Sequence, residues 1–152
     1  MRYFTKELVN SINTKKQINS EEEKMLINAV VERKKALKFD FPTNEYSFQN
    51  IKIKITKKLL NNFIIKFETK GEYSDSYIKS LTFKNAKIIK KDNNIEDSIW
   101  IFDEVYKEND KYEVHILLKK DEELLDLILL CNKASITYTE LGKNNKIDGE
   151  NL

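Results

Sequence analysis

The chain has 152 residues, 40% hydrophobic and 34% charged, with 27 basic and 25 acidic side chains and a formal net charge of +2. That length suits one domain with its own core, and a mean hydropathy of -0.59 describes a globular, well solvated chain rather than a membrane-embedded or disordered one. The near balance of charge sets up no field that would gather a polyanion, and three glycines, one histidine and one cysteine exclude a glycine-rich phosphate loop or a zinc site of nitrogen and sulfur ligands.

Tyr3, Phe4, Leu8, Val9 and Ile12 recur at helical spacing and predict a short amphipathic helix over about residues 5–13. Ser20-Glu21-Glu22-Glu23 has the form of a capping box, in which the serine oxygen accepts from a first-turn amide and Glu23 reaches back. Met25, Leu26, Ala29, Val30, Arg33 and Leu37 continue one face behind it, so a second helix is expected over about residues 21–37. Pro42 then ends the helical pattern, because proline lacks an amide donor and restricts the residue before it.

Beyond Pro42 the period becomes two. Ile51, Ile53 and Ile55 alternate with Lys52, Lys54 and Thr56, and Phe63, Ile65 and Phe67 repeat the pattern after Asn61-Asn62, so the two segments are expected to pair as a hairpin with the isoleucines covered. A polar loop follows at Gly71 to Asp75. Leu81 and Phe83 then hold one parity and Ala86 and Ile88 the other, which calls for a bulge or strand break near Lys84-Asn85. Ile99–Tyr106 and Tyr112–Lys119 flank a polar loop and predict another hairpin, and Leu124–Asn132 and Ala134–Glu140 supply two further strands. The expected class is α+β: an N-terminal helical pair followed by an antiparallel β-meander of about six or seven strands, curved or closing to a half-barrel. One domain would span residues 1–142, with strands from about 48 to 140, and residues 143–152 would form a polar flexible tail.

The start of the chain, Met1-Arg2-Tyr3-Phe4-Thr5-Lys6-Glu7, lacks the pattern of a secretory signal, and no apolar run approaches the ~20 residues of a membrane span. With the lone Cys131 set among aliphatic neighbours, this predicts a cytoplasmic protein with no membrane partner and a packed, inert thiol.

Few residues offer chemistry. His115 is the only imidazole, and the predicted hairpin sets it opposite Asp103 or Glu104, depending on the number of residues in the turn. Such a pair suits general acid-base work, yet no nucleophile is placed beside it, and a cross-strand polar pair is the expectation. Glu68-Thr69-Lys70 matches the tail of a metal-dependent nuclease motif, but no second acid lies on the preceding strand, so chance is the better account and no metal site is assigned. Lys52, Lys54, Lys66 and Lys84, followed by Lys87, Lys90 and Lys91, form an outward lysine face without interleaved aromatics, which disfavours nucleic-acid binding. Trp100, Phe102 and Tyr106 share one parity and Ile99, Ile101 and Val105 the other, so this strand is apolar on both sides; its aromatic side is the candidate contact for another protein or a second copy.

Met1-Arg2-Tyr3-Phe4-Thr5-Lys6-Glu7, Phe83-Lys84-Asn85-Ala86-Lys87-Ile88-Ile89, Trp100-Ile101-Phe102-Asp103-Glu104-Val105-Tyr106 and Tyr112-Glu113-Val114-His115-Ile116-Leu117-Leu118 together resemble a family of uncharacterised bacterial proteins known as a domain of unknown function. The resemblance implies no activity, cofactor or binding residue. It also implies that a histidine-aspartate pair common in relatives is replaced here by Gln49-Asn50. The function expected is therefore a non-enzymatic binding or interaction module without a cofactor, of accessory or immunity type. The alternative is a small hydrolase or metal-dependent nuclease centred on His115 with Asp103 or Glu104.

Overall fold

In the computed structural model, the described residues are 41–69 and 78–138, together with Lys6, Glu21, Glu23, Lys24, Met25, Ile27, Asn28 and Val31. Besides those N-terminal positions, each of which is helical, they comprise one helix with both ends described, α1 (Pro42–Glu45), and eight strands: β1 (Ile53–Leu59), β2 (Asn62–Phe67), β3 (Ile78–Lys84), β4 (Lys87–Lys91), β5 (Ile99–Glu108), β6 (Lys111–Lys120), β7 (Glu123–Cys131) and β8 (Lys133–Tyr138). Every pairing is antiparallel, in two four-stranded sheets of order β1-β2-β3-β8 and β4-β7-β6-β5.

This corrects the expected class. The described chain is mostly antiparallel β, with two sheets in place of one curved meander or half-barrel, and without a helical pair to make it α+β. Of the helices expected at 5–13 and 21–37, Lys6 and Glu21, Glu23, Lys24, Met25, Ile27, Asn28 and Val31 are described; the rest of both, the loop at 71–75 and the tail lie outside the described residues. The two sheets arise because the chain changes sheet twice, each time at an asparagine. Asn85 takes φ 50° between β3 and β4, where the parity change required a break, and Asn132 separates β7 from β8. The Asn132 amide donates to the Lys84 carbonyl at 3.0 Å, tying the two crossings together. At the opposite side an isolated bridge between Lys52 and Ile99, with the Ile53 amide donating to the Ser98 carbonyl at 2.8 Å, links the edges of β1 and β5.

One core fills the space between the sheets. Ile53, Phe63, Ile65, Phe67, Leu81 and Phe83 point into it from the first sheet, and Trp100, Val114, Ile116, Leu118, Leu125, Leu127, Leu129 and Cys131 from the second. Phe48, from the segment after α1, stacks on Trp100 with centroids 4.9 Å apart and meets Phe67 at 5.5 Å, so an aromatic trio joins the layers. Proline at the first helical position explains α1, since its fixed φ suits a helix start and its missing amide is not needed there.

Two bulges alter the faces read from alternation. Between Ile53 and Ile55 the register against β2 shifts, so Ile53 is buried, Ile55 turns outward at 43% exposure, and Thr56 takes the inward phase. Between Trp100 and Phe102 the register against β6 shifts in the same way.

Candidate functional site

The second shift decides what the aromatic strand presents. Trp100 stands opposite Leu118 on the core side and is fully buried, whereas Phe102, one residue past the bulge, stands opposite Leu117 on the other side of the sheet. Tyr106 shares the side of Phe102. The face expected to carry Trp100, Phe102 and Tyr106 together is therefore not formed; the extra residue at Ile101 reverses the parity. Trp100 belongs to the core, where its indole N–H donates to Asp103 Oδ2 at 2.9 Å.

That bond also separates the two acids considered for His115. Asp103 pairs in register with Ile116 and faces inward with Trp100, while Glu104 stands directly opposite His115. The turn holds only Asn109 and Asp110, with Asn109 left-handed at φ 57°, and so sets the register. On this outer side of the second sheet Tyr106 donates its hydroxyl to Glu104, and its ring meets the His115 ring edge-on at 5.2 Å. The His115 Nε2 lies 3.4 Å from Glu113 Oε2 without hydrogen-bond geometry, and among the described residues neither ring nitrogen has a hydrogen-bond partner. Glu104, Tyr106 and His115 are each at least nine-tenths buried.

Burial holds the His115 pKa below its ordinary 6.5, although Glu113 and Glu104 oppose this. The imidazole is thus neutral at neutral pH. Cys131 is no partner for it. The β6–β7 register sets Cys131 opposite Tyr112 with its thiol in the core, while His115 is opposite Ile128 on the other face. Burial pushes the Cys131 thiol up to about 12.

The remaining candidates are dispersed. Glu68 and Thr69 line a shallow depression with Lys52, Lys54, Phe67 and Asp97; Lys70 lies outside the described residues. No group of three or more His, Cys, Asp or Glu side chains suited to a metal ion occurs among the described residues. The lysines read as one face divide between the sheets. Lys66 belongs to β2 of the first sheet, while Lys90 lies in β4 of the second and pairs with Asp126 at 2.8 Å. Asp126 is also 3.5 Å from Lys6, whose ammonium sits 2.9 Å from Asp92 and, with the Asp126 amide, lowers the Asp92 pKa.

What the sequence reading missed lies at the opposite end of the first sheet. Leu59 and Leu60, at the β1–β2 turn, are 54% and 87% exposed, and Leu60 holds the left-handed region at φ 57°. The readable signal was a Leu-Leu pair immediately before Asn61-Asn62, where a two-residue turn ordinarily takes Gly, Asn or Asp.

Fold and site define a two-sheet antiparallel β protein with a sealed polar pair on one face and an exposed apolar hairpin tip. A family model described as "Protein of unknown function (DUF4085)" matches residues 2–123, and the chain belongs to that family. No curated protein and no solved structure matches it. No helix among the described residues is long and apolar enough to cross a membrane.

Proposed function

We propose that the protein is a non-enzymatic binding module that presents the β1–β2 hairpin to a partner surface, an accessory or immunity-type role being one form of this. The observation that carries the reading is Leu60, a large aliphatic side chain held in solvent by a backbone conformation that disfavours it. Leu59 beside it and Ile55, turned out by the β1 bulge, extend the apolar surface along one strand. The cross-strand pair Glu104–His115 is what favours the enzymatic alternative, but the Tyr106 hydroxyl engages Glu104 and the imidazole is buried beneath the surface where a substrate would arrive.

The test is a photo-reactive amino acid placed at position 60, and at position 91 as a control, in the full chain expressed in its native cell. Specific adducts at 60 and none at 91 support the reading. Equal yields at both positions, or none at either, reject it.

A further inference from the structure

Three turns meet at the end of the molecule that carries Leu60. The Ala86 amide donates to the Asn61 carbonyl at 2.7 Å, the Asn85 amide approaches Asn62 Oδ1 at 3.4 Å, and the Asn132 amide donates to the Lys84 carbonyl. The β1–β2 turn is thereby fixed to the β3–β4 turn, and that turn to the β7–β8 crossing. Five lysines stand on these segments, Lys57 and Lys58 on β1, Lys84 and Lys87 about Asn85, and Lys133 after Asn132, and all five are exposed. No Asp or Glu occurs in residues 57–62, 84–87 or 131–133, and none of the five lysines forms an ion pair among the described residues. The β5–β6 turn, across β7, is neutral in sum, with Lys107 and Lys111 against Glu108 and Asp110.

The left-handed positions make the tip stand out. Seven described non-glycine residues have positive φ, and six of them, Asn50, Asn85, Asn94, Asp97, Asn109 and Asp121, are the Asn or Asp that this region tolerates. Leu60 alone among them breaks that rule, and it is the most exposed of the large hydrophobic side chains among the described residues.

Resting on the binding reading above, we propose that the hairpin tip docks the protein to the surface of an anionic phospholipid bilayer. Leu59 and Leu60 would enter the boundary between headgroups and acyl chains, with the five lysines against the headgroup charge. Charge and exposure argue for a bilayer over a protein. The apolar element is an exposed turn whose tethered neighbours carry lysines and no acid, which a soft, flat anionic interface accepts, whereas a protein would need an apolar pocket with an acidic rim. The tip adsorbs without crossing, so the lack of a spanning helix among the described residues does not bear on it.

The test is co-sedimentation of the full chain with vesicles of phosphatidylcholine alone and of equal parts phosphatidylcholine and phosphatidylglycerol, at low and high salt. Binding is expected only to the mixed vesicles and is weakened by salt. Leu60→Asn, which suits the left-handed turn and so keeps the fold, is expected to bind about tenfold less tightly. Lys84→Gln and Lys133→Gln are expected to weaken binding about fivefold each. Equal binding to both vesicle types, no binding to either, or unchanged binding by Leu60→Asn overturns the inference. So does a short single-stranded DNA that binds the wild type and Leu60→Asn alike, since the lysines would then serve a polyanion without the tip. Failure on vesicles with protein adducts at position 60 removes the bilayer and leaves the binding reading standing; failure in both removes both.

Discussion

A leucine in the left-handed region costs roughly 1–2 kcal/mol relative to its preferred conformations. At Leu60 that cost falls on a side chain that is 87% exposed, so no burial offsets it. Leu60→Asn should therefore raise the melting temperature by about 3 °C while weakening membrane binding, and calorimetry beside the vesicle assay checks both halves. His115 behaves differently, because burial makes the folded state hold its proton less tightly than the unfolded chain does. Its contribution to stability is complete above the unfolded value of 6.5 and is lost as pH falls below it. Denaturant titrations at about pH 7.5 and about pH 5.5 should show a loss in the wild type that is reduced in His115→Phe. Cys131, with its thiol raised to about 12 and buried in the core, should resist a thiol reagent in the native state and react at once in denaturant. Rapid native labelling would show that the core opens there.

Among the elements, the edge strand β4 carries Lys87, Lys90 and Lys91 and a register shift between Ile88 and Lys90. Charges and irregular pairing are how edges avoid joining other sheets. Ile89, half exposed on this strand, lies between these lysines. Lys87→Val with Lys91→Val should convert the edge into an aggregating one, visible as higher-order species in sedimentation velocity; a monodisperse double variant would show that the bulge suffices. Hairpin positions, the break at Lys84-Asn85 and the packed cysteine were legible because each depends on residues close in sequence. The faces of Ile55 and Phe102 were not. One bulge residue reverses every side chain beyond it, and neither bulge has a glycine or proline to mark it. For the same reason Trp100, Phe102 and Tyr106 read as one surface, although the first is buried in the core and the other two face away from it.

Across the whole molecule, Trp100 is the only tryptophan and sits between Phe48 and Phe67, where the two sheets meet. Its fluorescence reports the joint between layers, while far-UV circular dichroism reports the strands. Because a single buried cluster draws on both sheets, the two signals should share one unfolding midpoint; separated midpoints would mean that the sheets melt independently.

Taken alone, the amino-acid order determined where strands run and where they turn, since a period of two and turn-forming asparagines act over a few residues. It also determined that the chain holds a single histidine and a single cysteine. Tertiary structure decided how the hairpins join into sheets, that the chain crosses between two sheets at Asn85 and Asn132, and that bulges turn Ile55 and Phe102 to the faces they occupy. Those outcomes depend on hydrogen bonds between segments distant in sequence and on single-residue slips in register, and neither leaves a local pattern to read.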